Sequence, residues 1–266
     1  MSDVLVLCYH AVSERWPAEL AVTPAALDEQ LRSLLARGYR FATFHEAVSA
    51  PPTGRVVAVT FDDGYRSVLD AAFPVLSGLG VPATVFVCTD FVDRGGAMSW
   101  RGISDWAGGP YASELAALSW AELRTLGAAG WEVGSHTRTH PFLTALADGP
   151  LEDELVGSRA RCEEALGVPC RSLAYPYGDF DARVVERAAA AGYTAACALP
   201  TRASAAAPLA WPRAGVYRRD GRVSFRLKTS PTLRRLRALP GGPALDRVYR
   251  AWPRRRPEPD ARPRSS

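Results

Sequence analysis

Short apolar runs alternate with segments of helical period from the N-terminus to about residue 200, and this alternation constrains the fold more than any other feature of the chain. Strand-like runs cover 4–9, 56–61, 83–87, 131–134, 172–174 and 194–198. Between them, 24–37, 66–78, 119–129, 151–166 and 181–191 repeat apolar residues at helical spacing. Thr23-Pro24 reads as a helix opening, and Gly38, Gly80, Gly130, Gly167 and Gly192 stand where helices should end. A strand followed by a helix returns as a crossover and not as a hairpin. The order therefore predicts an α/β chain with a parallel sheet covered by helices. Periodicity alone leaves open whether that sheet is open and doubly wound or closed into a barrel.

The 266 residues are 47% hydrophobic and 23% charged, enough to bury a sizeable core. That balance argues against a fully disordered chain or a coiled coil, and no run of 18 apolar residues occurs to span a membrane. The opening MSDVLVLCYHAV lacks a basic start and reads as a first strand and not as a signal peptide. Five cysteines, Cys8, Cys88, Cys162, Cys170 and Cys197, form no CxxC pair, and three sit in apolar runs. They read as buried thiols, not a secreted disulfide framework, and the expected compartment is the cytoplasm.

Two stretches break the rhythm. Residues 92–118, rich in Gly and Trp, read as a long loop of the kind that often carries binding function. Its Trp100, Trp106 and Tyr111 could stack on a ligand or pack inward. The other stretch is C-terminal. Residues 1–210 carry 16 Arg against 24 Asp and Glu, a net of −8, whereas 211–266 carry 15 Arg and one Lys against four acids, a net of +12. The reading is a domain over 1–239 and a basic, Pro- and Arg-rich tail over 240–266, expected to be disordered. Such a tail is usually solvated, but could touch an anionic membrane surface. A nucleic-acid role would rest on this region alone and is not favoured.

Three strand ends carry residues suited to chemistry. In VVAVTFDDGYRS, a strand runs into Asp62-Asp63-Gly64. Paired carboxylates repel, so a cation beside them would explain the pairing. An Asp-Gly turn with a helix cap is the plainer alternative. In GSHTRTHPFL, His136 and His140 follow the strand-like WEVG. Four-residue spacing puts both imidazoles on one side of a helical turn, close enough to share a metal, although two unrelated surface histidines would look the same. One Asp and two His make three ligands and leave a position for water, whose proton a spare carboxylate could take. In RSLAYPYGDFD, Tyr177 offers a backbone N–H that could serve an oxyanion, or an aromatic face that covers the core.

TFDDG, HTRTH and AYPYG, in this order and at these separations, resemble the polysaccharide deacetylase (NodB-homology) family, carbohydrate esterase family 4. The resemblance runs over roughly residues 1–217. It implies a distorted (β/α) barrel of about seven parallel strands that removes acetyl groups from sugars with a divalent metal. It also implies Asp62 as general base, Asp63, His136 and His140 as metal ligands, and the Tyr177 N–H as oxyanion donor. The chain departs from the commonest pattern twice. Ala174 stands in the region where many members have an Arg, and no His follows His140 to act as general acid. A subgroup similar to poly-N-acetylglucosamine deacetylases shares the AYPYG text and a Tyr-His pair after the first strand, as in LCYHAV here; by that similarity His10 is the general acid. Arg213, in LAWPRAGV, is the candidate to replace the missing Arg and hold Asp62 ionised. Ser135 and Thr137 flank the first His and are candidate donors around it. His45 belongs to no motif.

The function expected is thus a metal-dependent N-deacetylase, with Zn²⁺ the first choice and Co²⁺, Ni²⁺ or Fe²⁺ compatible with the same donors. An amidohydrolase acting on a non-sugar amide or imide, and a carbohydrate-binding protein without activity, are the rivals.

Overall fold

The computed structural model describes residues 3–49, 53–199 and 206–237. The proposed tail, 240–266, lies outside the described residues. Nine strands form one sheet in which every pairing is parallel: β1 (Asp3–Tyr9), β2 (Arg40–Ala42), β3 (Arg55–Phe61), β4 (Thr84–Val87), β5 (Glu132–Ser135), β6 (Ser172–Ala174), β7 (Ala195–Ala198), β8 (Trp211–Pro212) and β9 (Ala214–Gly215). Their order is β8-β7-β6-β5-β4-β3-β1-β9, and β2 pairs the first half of β3. The two ends of this path, β8 and β9, are separated in sequence by Arg213 alone. The chain itself therefore bridges the gap, and β8 and β9 act as one stave broken at that residue. The result is a distorted (β/α) barrel of about seven staves.

Among the described residues the α-helices are α1 (Pro24–Leu35), α2 (Phe44–Ser49), α3 (Phe73–Gly78), α4 (Trp120–Ala128), α5 (Asp148–Leu166), α6 (Ala182–Ala190), α7 (Arg222–Lys228) and α8 (Pro231–Arg237). Local chemistry explains several of their starts. Thr23 accepts from the Ala26 N–H with Pro24 in the first turn, Ser119 and Glu122 form a reciprocal capping box, and Asp181 accepts from the Val184 N–H. The helix expected over 66–78 is instead two pieces: a π-helical turn, Val68–Ala72, runs into α3. Pro74 lies in the first turn of α3 and has no N–H to continue the upstream ladder.

Because both faces of the strands are covered, β1 and β3 are nearly continuous apolar runs. Their outward residues, such as Leu5, Leu7, Val57 and Val59, pack into the large cluster beneath the helices. Their inward neighbours Val6, Val56 and Ala58 join Phe86, Ala174, Ala195 and Cys197 in a second cluster. Phe44 and Ala47 of α2 pack into that second cluster. The Phe44 and His45 N–H groups donate to Thr84 and Glu132 at the starts of β4 and β5, so α2 plugs the N-terminal end of the barrel. The opposite end, where strands stop, stays available for a site. All five cysteines are free and buried. Among the described residues no helix is long and apolar enough to cross a membrane.

Part of the C-terminal basic excess is structural. Arg213 pairs with Asp62, Arg218 donates to the carbonyls of Ser13, Trp16 and Ala21, Arg219 pairs with Glu19, Arg222 with Glu29, and Arg234 with Asp3. These contacts dock the chain after the barrel onto its first turns.

Candidate active site

Every strand-end motif opens at the C-terminal mouth of the barrel. His10 follows β1, Asp62 and Asp63 follow β3, His136 follows β5, Tyr177 follows β6, and Arg213 sits between β8 and β9. All of them, with His140, line one cleft of about 630 Å³. The seven candidates are thus brought together, and none is left outside.

Asp62 is buried and bound on both oxygens by Arg213: Nη1 donates to Oδ1 and Nη2 to Oδ2, each at 2.6 Å. Arg213 Nη1 also donates to Thr60 Oγ1 at 3.1 Å. Burial alone would raise the Asp62 carboxyl, but Arg213 and the imidazole of His136 outweigh it and hold Asp62 well below the ordinary carboxylate range. Cys8 adds a third donor, with Sγ 3.3 Å from Oδ2. Burial raises this thiol well above its usual value, so it stays protonated and donates.

Asp63 is differently placed. Its Oδ1 lies 3.3 Å from His136 Nε2 and 3.4 Å from His140 Nε2, yet no hydrogen bond to that buried oxygen has good geometry. Neighbouring ligands of a tetrahedral ion with bonds of about 2.0–2.1 Å stand roughly 3.3–3.4 Å apart, so the donor set fits a shared cation. His136 Nδ1 is 2.7 Å from the Ala174 carbonyl. A carbonyl only accepts, so Nδ1 carries a proton, and Nε2, which faces Asp63, is the nitrogen that could take a metal. Cys8, His10 and Asp62 also approach one another closely. That trio is a poor metal site, because Asp62 already holds a guanidinium and the thiol keeps its proton.

Burial lowers both His136 and His140. At His136 the pull of Asp62 and Asp63 prevails and its pKa is raised, whereas His140 falls to about 4 and is neutral, as a metal ligand must be. Burial likewise lowers His10, against the pull of Asp63 and then Asp62. Among the described residues its Nδ1 is buried without a hydrogen-bond partner.

The backbone here is strained where the motifs lie. Asp63 (φ 72°), Thr137 (69°), His140 (63°) and Tyr177 (58°) are all left-handed, which costs a non-glycine residue about 1–2 kcal/mol each. This corrects one expectation: His136 and His140 do not share a helical turn. His136 leaves β5 directly, and the turn to His140 is closed by side chains. Ser135 Oγ accepts from the Thr137 N–H, and Thr137 Oγ1 from the His140 N–H. Ser135 and Thr137 therefore hold the backbone of the turn, not the imidazole rings. Gly178 (φ 68°) follows Tyr177, and a Cβ there would stand 2.5 Å from the Leu199 carbonyl oxygen.

A model of the family described as polysaccharide deacetylase matches residues 49–196, more than half of the chain. The chain belongs to the polysaccharide deacetylase family. Its resemblance to individual family members is distant. YxkH of Bacillus subtilis (strain 168) is 23% identical over 193 residues, which cover 71% of this chain and 61% of YxkH. The match therefore spans less than two thirds of that relative. Among solved structures, IcaB from Ammonifex degensii is 27% identical, with a TM-score of 0.67 over 89% of this chain and 97% of IcaB. The Streptococcus pyogenes deacetylase PplD, solved with acetate, superposes with a TM-score of 0.72 at 24% identity, over 86% of this chain and 98% of PplD, and shows the shared fold.

Sequence reasoning on this deacetylase-family chain gave Cys8 and Thr60 no part in the site, read Trp100 as able to stack on a ligand or pack inward, and passed over Phe142. The first two were legible: Cys8 and Thr60 stand two residues before His10 and Asp62, on the same strand face. Within the loop 92–118, Trp100 lines the cleft, whereas Trp106 packs edge-on against the buried Trp16 and against Tyr111. Trp106 and Tyr111 thus pack inward. His45 lies at the other end of the barrel, bonded to Thr194 and Ser49.

Proposed function

We propose that this chain is a metal-dependent hydrolase that removes the acetyl group from an N-acetylated sugar. The convergence of Asp63, His136 and His140 on one point beside Asp62 carries this reading. Asp63, His136 and His140 would hold a divalent ion, Zn²⁺ by donor type. When bound, that ion supplies Lewis acidity for the acetyl carbonyl and lowers the pKa of water.

The side chains of the chain supply the rest. Asp62, kept ionised and oriented by Arg213, takes a proton from the attacking water as the new C–O bond forms. The Tyr177 N–H, in the strained turn after β6, donates to the developing oxyanion. His10, which lines the same cleft, gives a proton to the leaving nitrogen as the C–N bond breaks. Acetate and a free amino sugar result. Burial makes His10 the stronger acid once protonated, and the two carboxylates beside it favour that protonation.

The subgroup resembling poly-N-acetylglucosamine deacetylases fits the Tyr9-His10 pair and the AYPYG turn, and membership of the polysaccharide deacetylase family supports a glycan substrate. We take 1–239 as the catalytic unit, because α8 docks back on β1 through Arg234, which donates to the Val4 carbonyl.

Acetate release from a panel of N-acetyl sugars, with chelator and with added divalent metals, tests the reading. Turnover should vanish in chelator, return with metal, and stay absent in Asp62→Asn. Release of ammonia or of a ring-opened product from imides, with no acetate from sugars, would favour the amidohydrolase alternative. His10→Ala should retain metal and lose turnover about 10²–10⁴-fold; near-normal turnover removes His10 from the mechanism.

A further inference from the structure

The loop 92–118 touches all three motifs. Its stem is bonded to the turn after Asp63: the Leu118 N–H donates to the Gly64 carbonyl at 2.9 Å, the Arg66 N–H to the Ala116 carbonyl at 2.8 Å, and Tyr65 bridges Ala117. Its tip reaches the other two. The Trp100 indole lies flat on His140, with ring centroids 4.5 Å apart and planes 17° apart, and is itself held by the edge of Phe91 at 5.1 Å. The next residue, Arg101, accepts a hydrogen bond from the Tyr177 hydroxyl on its carbonyl at 3.1 Å, and its guanidinium lies 5.7 Å over Phe142. Phe142 in turn stacks on Tyr177 at 4.0 Å.

The two histidines are oriented by different means. His136 is fixed through Nδ1 by the Ala174 carbonyl. Among the described residues His140 Nδ1 is buried with no hydrogen-bond partner. Its Nε2 lies 3.4 Å from Asp63 Oδ1, and its ring is otherwise set by packing, between the face of Trp100 and the rings of Tyr177, which it meets at 4.4 Å and 76°, and His136. The residues the tip grips, His140 and Tyr177, are also two of those held in the left-handed region. An imidazole without a hydrogen bond on its second nitrogen needs another restraint if its lone pair is to point at one place.

We infer that the 92–118 loop is a positioning clasp. Trp100 sets the ring of His140 as a metal ligand, and the Arg101 carbonyl, through the Tyr177 hydroxyl, sets the turn that presents the Tyr177 N–H. This deepens the metal-dependent reading and rests on it.

The test compares wild type with Trp100→Ala, Trp100→Leu, Trp100→Phe and Tyr177→Phe. Zn²⁺ affinity is measured by chelator competition, ligand geometry by the visible absorption of the Co²⁺-loaded protein, and folding by circular dichroism. Trp100→Ala should weaken Zn²⁺ binding about 10-fold or more and alter the Co²⁺ spectrum, and Trp100→Phe should restore most of both. Trp100→Leu, which keeps bulk without a flat ring, should behave like Trp100→Ala and serves if the Ala variant does not fold. Tyr177→Phe should leave Zn²⁺ affinity unchanged and lower kcat with little change in KM. Wild-type affinity and spectrum in folded Trp100→Ala or Trp100→Leu overturn the clasp while the metal reading stands. A wild-type protein that binds no Zn²⁺ overturns both.

Discussion

Replacing Arg213 with Leu removes a guanidinium that is 4% exposed and leaves the Asp62 carboxylate, 2% exposed, without its cation. Two bonds of 2.6 Å to Asp62 and one of 3.1 Å to Thr60 disappear together. Breaking a buried pair from one side costs about 3–5 kcal/mol, because the remaining charge is neither solvated nor paired. For a domain of this size that is a fall in Tm of roughly 6–20 °C. The assay is thermal and urea unfolding in chelator, which keeps metal-linked stabilisation out of the comparison. The double variant Arg213→Leu with Asp62→Leu should recover most of the loss, leaving a coupling energy of at least about 2 kcal/mol. Acidity supplies a second readout. In the wild type Asp62 is held below its unfolded value near 3.9, so the pair's stabilisation is complete above that pH and is lost only as pH falls toward the depressed native value. Without Arg213, burial raises the native Asp62 instead. The penalty should then be smaller near pH 4 than at pH 7 and grow between them. A Tm within about 2 °C of wild type, additive single variants, or a penalty that shrinks with rising pH would each refute the argument, since the opposite of each follows from one uncompensated buried charge.

Asp63→Ala and His136→Ala should each abolish stoichiometric Zn²⁺ binding by equilibrium dialysis; retained binding would overturn the ligand assignment. Gly178→Ala places a Cβ 2.5 Å from the Leu199 carbonyl at a left-handed residue. It should cost about 1–3 kcal/mol in urea unfolding and lower kcat by displacing the Tyr177 turn. Unchanged values of both would show that this turn tolerates movement. His45→Ala, at the far end of the barrel, should leave turnover within about twofold, as for a change remote from any buried network.

Much of this protein is legible in one dimension. The alternation of strand and helix predicts the parallel sheet, because buried parallel strands need continuous apolar runs and their crossovers need helices. The capping residues Thr23, Ser119 and Asp181 and the closing Gly167 mark helix ends by local chemistry that needs no partner from elsewhere. TFDDG, HTRTH and AYPYG each have a plainer reading alone and stand out because, in this order and at these separations, they resemble one family's motifs. Other features have no local signature. β2, β8 and β9 are three, two and two residues long, too short to show a period, and are strands only because neighbours pair with them. The π-helical turn before α3 and the side-chain-closed turn before His140 likewise override the helical pattern written there.

What the sequence by itself determined is the set of reactive groups and the order of elements that carries each to a strand end. Only the tertiary structure decided that the sheet curls until β8 and β9 meet its two edges, which puts Arg213 beside Asp62, 151 positions away. It also decided that Trp100 lies on His140. Both are long-range contacts, set by how staves and loops close around a shared mouth, and closure of a ring is a property of all its strands at once and of no single segment.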